Sequence, residues 1–184
     1  QRHHPEIKTV WFFKNRQTPI TGNGERVKVN TVKYWYYLAT AKYLFQNTNM
    51  RNHYFKRKGQ IEVETLHGTF LKHMGFDEPH FRDAKQVVQD RFARRIRRWD
   101  YLVVPSEYMR KTATRAFDYH QRILPVGFPR NDELVLNNRT GKIQSIKRRL
   151  GIPMNKKVIL YAPTYRRHSA EFDFHLDLNR LMPK

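Results

Sequence analysis

Short apolar runs alternate along the chain with longer segments in which apolar residues recur every three or four positions. The runs are typical of buried strands, and the longer segments are typical of amphipathic helices. We therefore predict strands at residues 9–13, 43–45, 61–66, 101–104, 123–126 and 157–162, and helices at residues 32–42, 83–99, 107–117 and 142–150. Residues 18–26 contain one proline and two glycines among polar residues and predict a loop.

This order of elements predicts an α/β fold with Rossmann-like parallel sheets and helices on both faces. Ligands of such sheets bind outside the carboxyl ends of the strands, so the loops that follow strands are the candidate sites. Residues 131–140 are polar and lack periodicity, which indicates a boundary between two α/β units. We predict an N-terminal unit at residues 1–130, a linker at 131–155 and the start of a second unit at 156–184.

Charge narrows the classes of partner. The chain has 36 Lys and Arg residues against 16 Asp and Glu, a formal net charge of +20, which favours encounter with nucleic acid, anionic lipid or polymeric phosphate. Because 39% of the residues are hydrophobic, the chain has enough apolar material for a core. The absence of Cys excludes disulfides, thiolate zinc sites and cysteine nucleophiles. No apolar run approaches the ~20 residues of a membrane-spanning helix.

The loop after the strand at 61–66 carries side chains suited to phosphate chemistry. Gly68 permits close backbone approach, Thr69 offers a hydroxyl and Lys72 a cation, while the imidazole of His67 can exchange protons near neutral pH. A structural histidine in a tight turn explains His67 equally well. A zinc site formed with His73 and His80 is a weaker alternative, because the spacing follows no standard pattern.

Two later post-strand loops, at residues 127–132 and 162–168, also carry side chains that suit anions. Their candidate ligand-binding residues are Arg130, Asn131, Asp132, Thr164 and Arg166. The first loop suits an anionic or hydroxyl-bearing ligand and the second a pyrophosphate. The structural alternatives are a turn in which Asp132 caps the next helix, and a solvated basic loop. No Walker-type or dinucleotide-binding glycine motif is present, so those nucleotide classes are unsupported.

The predicted helix at residues 83–99 is strongly basic on one side. It carries five arginines and ends at a tryptophan: Arg91, Arg94, Arg95, Arg97, Arg98 and Trp99. A solvated face is the plainest interpretation of the arginines. Alternating basic and apolar residues beside a tryptophan are also typical of a helix that lies on anionic lipid, although the apolar face could equally belong to the core.

Four segments occur in order along the chain: Thr65 to Lys72, which resembles Trp-His-Gly-Thr-Pro-Leu-Lys; Trp99 to Ser106, similar to a Trp-Asp-Tyr strand that ends in Ser; Gly127 to Asp132, similar to Gly-Tyr-Pro-Arg-Asn-Asp; and Ile159 to Arg166, similar to Ile-Leu-Tyr-Ala-Pro-Thr-Phe-Arg. Together they resemble the signature sequences of the CDP-glycerol glycerophosphotransferases, the primases and polymerases of wall teichoic acid. The chain departs from the first signature at Leu66, where Trp is usual, and at Phe70, where Pro is usual.

The resemblance implies a GT-B-like architecture of two Rossmann-like units. Residues 1–130 would form the acceptor-side unit, and residues 156–184 would begin the unit that binds the CDP-linked donor. Further donor-site residues would lie beyond Lys184, so this fragment alone is expected to be inactive.

The resemblance also implies a reaction, in which an acceptor hydroxyl attacks the β-phosphorus of CDP-glycerol and expels CMP. His67 would be the catalytic histidine, Arg166 would bind donor phosphate, and Lys72 would bind phosphate of either substrate. Gly68, Thr69, Arg130, Asn131, Asp132 and Thr164 would complete the binding site. No cofactor is expected, and a divalent cation is not indicated.

The expected partners are CDP-glycerol, a lipid-linked polyol-phosphate acceptor and the anionic cytoplasmic face of the cell membrane, where the enzyme would be peripheral. The sequence does not separate glycerol from ribitol donors or primase from polymerase, and it does not give the oligomeric state. The alternative from another class is a basic nucleic-acid-binding module, in which aromatic residues on a basic face would stack bases.

Overall fold

The computed structural model describes residues 3–14, 19–20, 22–48, 50, 54–162, 177 and 180. The chain divides into two compact units, residues 1–136 and residues 137–184. The predicted sites Thr164 and Arg166 lie outside the described residues, so the structure makes no statement about them. The predicted assignment of acceptor and donor roles to the two units stays a prediction.

In the first unit, the described residues form two parallel sheets. A two-stranded sheet pairs β1 (Val10–Phe13) with β2 (Glu25–Lys28). A four-stranded sheet has the order β3, β4, β5, β6, with bounds Tyr43–Gln46, Ile61–Glu64, Tyr101–Val103 and Arg122–Leu124. Every pairing is parallel, as the alternation of strands and helices predicts.

The helices at residues 32–40, 86–96, 107–117 and 140–149 lie where periodicity predicts them, with bounds that differ by at most three residues, whereas the short helices at residues 79–82 and 132–136 are not among those predicted. The described residues form six helices. They are α1 (Val32–Thr40), α2 (Pro79–Arg82), α3 (Gln86–Ile96), α4 (Glu107–Phe117), α5 (Asp132–Leu136) and, in the second unit, α6 (Thr140–Arg149). Short 3₁₀ turns lie at Gly75–Asp77 and Pro129–Asn131. Among the described residues, no helix has both the length and the apolar character needed to cross a membrane.

Helix α4 shows why these boundaries can be read from the sequence. The Ser106 side chain precedes the helix and accepts a hydrogen bond from the backbone N–H of Met109 at 3.2 Å. This N-cap satisfies one of the N–H groups that the first turn leaves without a helical partner. The helix therefore begins after a three-residue connection from the end of β5 and projects its first turn from the carboxyl edge of the sheet.

The main core lies between the four-stranded sheet and helices α3 and α4. Trp99 is 3% exposed and packs edge-to-face against Phe117, with ring centroids 5.6 Å apart. Helix α3 adds Phe92 and Ile96 to the same cluster. The interpretation of Trp99 as an exposed anchor on a lipid surface is therefore wrong, because its ring is needed to fill the core.

The arginines of the α3 region do not all face solvent. Arg91, Arg94 and Arg97 are exposed. Arg98 instead turns inward, donates to the carbonyl of Tyr54 at 3.0 Å and approaches buried Glu62 at 3.8 Å. The basic face predicted from the sequence is therefore narrower than the count of arginines suggests.

Two further elements differ from the sequence-based prediction. Strand β2 lies partly inside the predicted loop at residues 18–26, and only Val27 of its four residues is buried. The strand predicted at residues 157–162 is absent, and Ile159 is 93% exposed there. An apolar run forms a strand only when a neighbouring strand supplies hydrogen-bond partners, and none of the described residues does so here.

Candidate active site

Residues 66–70 form a short arch that follows β4 at the carboxyl edge of the sheet. Thr65 continues the pairing with β3, because its N–H donates to the carbonyl of Gln46 at 2.8 Å. Both ends of the arch, Leu66 and Phe70, are buried in the main core. The residues between them are exposed or half-buried: His67, Gly68 and Thr69. The arch therefore presents three predicted site residues from a fixed base.

The first end of the arch has an unusual backbone. Leu66 has φ of +55°, in the left-handed region, which costs a branched residue about 1–2 kcal/mol. Its N–H donates to the Oε1 atom of Glu64 at 2.8 Å, and its side chain packs in the core. These two contacts hold the strained conformation in place.

The second end of the arch is fixed by helix α4. The N–H of Phe70 donates to the Sδ atom of Met109 at 3.2 Å, and the hydroxyl of Tyr108 donates to the Phe70 carbonyl at 2.9 Å. The Phe70 ring also packs edge-to-face against Phe117. Leu66 and Phe70, the two departures from the family signature, are thus the two residues that fasten the arch to the core.

His67 is exposed, and its ring is oriented by a backbone contact. Its Nδ1 atom lies 3.1 Å from the carbonyl oxygen of Asn47. A carbonyl oxygen only accepts hydrogen bonds, so this contact assigns a proton to Nδ1 and leaves the lone pair on Nε2 of the neutral ring. A histidine in this tautomer presents Nε2 to solvent as a proton acceptor, as a general base requires.

Two glutamates of β4 are buried beneath the arch. Glu64 is 1% exposed, and burial raises its pKa to about 8, although the hydrogen bond from Leu66 acts in the opposite direction. Glu62 is fully buried and its pKa is raised, mainly by burial, while Arg98 opposes the rise. The Glu62 carboxylate also accepts from the side chain of Gln46 at 2.5 Å. Glu64 is therefore a neutral acid at neutral pH.

The second predicted loop follows β6. Gly127 has φ of +83°, which only glycine adopts without strain, and its N–H donates to the Val104 carbonyl at 3.1 Å. Phe128 is buried, and the Arg130 guanidinium lies over its ring at 5.4 Å. This cation–π contact orients an arginine that is otherwise exposed.

Asn131 and Asp132 lie in the turn that leads into α5, and both are exposed. Asp132 is the first residue of α5 and has helical backbone angles. The alternative in which Asp132 serves as the N-cap is therefore wrong, because the preceding 3₁₀ turn passes directly into the helix. The Asp132 carboxylate still lies in the first turn, where the helix dipole favours negative charge.

The arch and the Arg130 loop share one edge of the sheet. Strand β5 lies between β4 and β6, and neighbouring strands are about 4.8 Å apart, so the two loops begin about 10 Å from each other. Lys72 is exposed two residues beyond the arch. The structure thus brings His67, Gly68 and Thr69 together in one loop and places Arg130, Asn131 and Asp132 two strands away.

A cavity lies elsewhere in the first unit. It measures about 490 Å³ and opens where β4, β5 and β6 begin, lined by Ile61, Asp100, Tyr101, His120, Gln121 and Arg122. It is wide open, and parallel α/β sheets bind ligands at the opposite edge, so we place the site at the arch. Within the described ranges, no group of three His, Asp or Glu side chains could hold a metal ion.

Three residues that support the site were not among those predicted from the sequence: Glu64, Tyr108 and Met109. Tyr108 and Met109 reach the arch from another element, so nothing in the local sequence marks them. Glu64 had a weak signal, since a carboxylate inside a strand three residues before the histidine is unusual.

Comparison with known proteins identifies the family. The family model described as CDP-Glycerol:Poly(glycerophosphate) glycerophosphotransferase matches residues 1–184. A teichoic acid poly(glycerol phosphate) polymerase of Staphylococcus epidermidis is 32% identical, over 98% of this chain and 27% of its own length. A teichoic acid glycerol-phosphate transferase of Staphylococcus aureus is 34% identical, over 97% of this chain and 49% of its own length. The chain thus spans half or less of these relatives.

Solved structures agree with the sequence comparison. The structure of the wall teichoic acid polymerase TagF matches with a TM-score of 0.85 at 33% identity, over 98% of this chain and 46% of that one. A TagF variant soaked with CDPG matches with a TM-score of 0.81 at 32% identity, over 98% of this chain and 47% of that one. This likeness confirms the predicted fold class, Rossmann-like parallel sheets of the GT-B-like type. The chain belongs to the CDP-glycerol:poly(glycerophosphate) glycerophosphotransferase family.

Proposed function

We propose that the protein transfers glycerol phosphate from CDP-glycerol to the terminal hydroxyl of a lipid-linked acceptor in teichoic-acid-type polymer synthesis, and that it releases CMP. The observation that supports the proposal most directly is the position of His67. Its Nδ1 atom contacts the Asn47 carbonyl, so Nε2 can accept a proton, and its ring is exposed at the carboxyl edge of the sheet. The names of the similar proteins, which are teichoic acid polymerases and transferases, give the substrate class.

In the proposed reaction, the acceptor hydroxyl oxygen forms a bond to the β-phosphorus of CDP-glycerol. The bond between that phosphorus and the oxygen of CMP breaks, and CMP leaves with the bonding electron pair. The hydroxyl proton passes to Nε2 of His67. A base positioned in this way accelerates a reaction by about 10²–10⁴-fold.

The exposed cations near the site would stabilise the phosphoryl oxygens. Lys72 and Arg130 are both exposed in the first unit, and Arg130 is oriented by Phe128. Charge stabilisation by prepositioned donors is a large part of catalysis of phosphoryl transfer. Gly68, Thr69, Asn131 and Asp132 would contribute backbone and side-chain polar contacts, and Thr164 and Arg166 would bind the donor pyrophosphate.

The same proposal assigns the first unit to the acceptor and the second to the CDP-linked donor. It places the enzyme peripherally at the cytoplasmic face of the cell membrane. Support for a lipid surface comes from the net charge of +20 and from helix α3, where exposed Val87 lies one helical turn from exposed Arg91. No observation favours the nucleic-acid-binding alternative over this proposal.

The test measures CMP release from CDP-glycerol and a lipid-linked acceptor with the intact protein. We expect His67→Ala to lower kcat at least ~100-fold, because the base is lost while binding groups remain. His73→Ala is the matched control, since His73 is an exposed histidine of the same segment outside the arch. It should keep kcat near the wild-type value.

Each alternative outcome has a distinct meaning. Near-normal turnover by His67→Ala would return His67 to a structural role and refute the proposed mechanism. Turnover by the wild type with CDP-ribitol, but not with CDP-glycerol, would keep the mechanism and replace the donor.

A further inference from the structure

We propose that Glu64 is a positioning residue for His67. Its buried carboxyl group accepts the N–H of Leu66, maintains the left-handed backbone of that residue and so sets the direction in which the His67 ring leaves the sheet. The inference extends the proposed function, because it assigns a further residue to the reaction that His67 would catalyse.

The geometry of the arch gives Glu64 this role. Strand β4 ends at Glu64, Thr65 continues the pairing with β3, and the chain turns at Leu66 before His67, whose ring lies beside the Asn47 carbonyl. The turn depends on the positive φ of Leu66, a conformation that a branched residue leaves unless other contacts hold it. If Leu66 returned to the extended region, the following residue would swing away and the contact between His67 and Asn47 would break.

Glu64 supplies the only side-chain contact that the described residues make with the Leu66 N–H. Its Oε1 atom lies 2.8 Å from that nitrogen. Without this acceptor, the N–H would be buried and unpaired, which is costly in a core. One hydrogen bond from the Leu66 N–H to the Glu64 carboxyl group therefore has two effects. It provides the buried N–H with an acceptor, and it maintains the strained backbone of Leu66.

The cost of burying Glu64 indicates that it serves the site rather than the core. Its Cα partners on the neighbouring strands are Gln46 and Leu102. Its second oxygen, Oε2, has no hydrogen-bond partner among the described residues. An apolar residue at this position would avoid that penalty. A buried acid with one hydrogen bond, made to the backbone beside His67, is best explained by what that bond positions.

Glu62 provides a matched comparison on the same strand. It lies two residues before Glu64, so its side chain leaves the same face of the sheet, and it is equally buried. Its contacts are with side chains, because it accepts from Gln46 and approaches Arg98. None of its described contacts is with the arch, so its removal should disturb the fold without redirecting His67.

The experiment compares Glu64→Ala, Glu64→Gln and Glu62→Ala in the intact protein. For Glu64→Ala we expect kcat to fall about 10- to 100-fold at similar KM, because a small misplacement of a catalytic group has that effect. Glu64→Gln keeps an oxygen that can accept the Leu66 N–H, so kcat should recover to within about threefold of wild type. Glu62→Ala should lower the melting temperature with kcat retained.

A second readout does not depend on catalysis. Nitrogen NMR of ¹⁵N-histidine-labelled protein reports which ring nitrogen of His67 carries the proton, with His67→Ala used to assign the signal. We expect the Nδ1–H form in the wild type, in Glu64→Gln and in Glu62→Ala, and a mixture of tautomers in Glu64→Ala.

The two readouts separate failure of this inference from failure of the proposed function. If His67→Ala is fully active but Glu64→Ala still changes the His67 tautomer, the positioning role stands and the catalytic role of His67 is lost. If Glu64→Ala retains both the Nδ1–H tautomer and wild-type kcat, or if Glu62→Ala disturbs the His67 tautomer as strongly, the positioning role is refuted.

Discussion

Replacing Glu64 by Gln should make the protein more stable at high pH. In the folded protein, burial raises the Glu64 pKa from 4.5 to about 8, so the carboxyl group keeps its proton through neutral pH. In the unfolded chain, the same group ionises near 4.5. Between these values the folded state binds more protons than the unfolded state, and the free energy of unfolding falls as the pH rises.

The magnitude follows from the two pKa values. As the pH rises, Glu64 lowers the free energy of unfolding of the wild type by about 3 kcal/mol at pH 7. The loss reaches about 5 kcal/mol once the pH is above both pKa values. Because Glu64 is almost fully buried, solvent screening does not reduce this value much. Gln has the same shape and keeps the hydrogen bond from Leu66, but it does not ionise. The variant should match the wild type near pH 4.5 and exceed it increasingly up to pH 8.

The assay is urea unfolding at pH 4.5, 6, 7 and 8, followed by the fluorescence of buried Trp99 and the other tryptophans. The midpoint difference between Glu64→Gln and wild type should grow with pH at an unchanged slope m. Glu62 is present in both proteins, and its charge contributes to the rise of the Glu64 pKa, so the difference includes the interaction between the two carboxyl groups. A midpoint difference that stays constant from pH 4.5 to 8 would refute the argument that Glu64 is buried as a neutral acid.

Two further predictions concern folding alone. Gly75→Ala should lower the free energy of unfolding by at least about 2 kcal/mol, because Gly75 has φ of +59° and an added Cβ would lie 2.6 Å from Cδ1 of Phe117. Gly141→Ala in α6, where an added Cβ meets nothing within 4 Å, is its control and should be neutral or stabilising by up to about 1 kcal/mol in thermal unfolding. Ser106→Ala should lower the free energy of unfolding by about 1 kcal/mol and Ser106→Asp should restore it, since Asp also caps helices; equal midpoints for all three proteins would contradict the N-cap assignment.

The sequence predicts elements well where local pattern and local contacts agree. Helix α4 has apolar residues at helical spacing and a Ser at the position of the N-cap, and both features survive in the fold. Strand β2 was missed because its residues are mostly charged and only Val27 is buried. At residues 157–162 the error is the opposite one, because a strand is predicted where none forms. Strand-forming residues alone do not create the neighbouring strand with which they would pair.

Only part of the arch could likewise be predicted from the local sequence. The sequence indicates His67, Gly68 and Thr69 through position and resemblance. Its supports are long-range, because Tyr108 and Met109 reach Phe70 across 38 and 39 residues. The alternation of Ile61, Glu62, Val63 and Glu64 would place the glutamates in solvent if one face of the strand were open. Strand β4 is an inner strand of the sheet, and both faces are covered.

Because the arch has buried ends and an exposed middle, its positions should differ in how well they tolerate substitution. Leu66 and Phe70 are buried in the core, while His67 and Thr69 are exposed to solvent. Because His67 is the proposed base, Thr69 is the exposed position of the arch at which substitution should alter substrate preference with little loss of stability. New specificities can then be sampled at the tip of the loop during evolution or in a selection library, without first requiring compensating changes in the core.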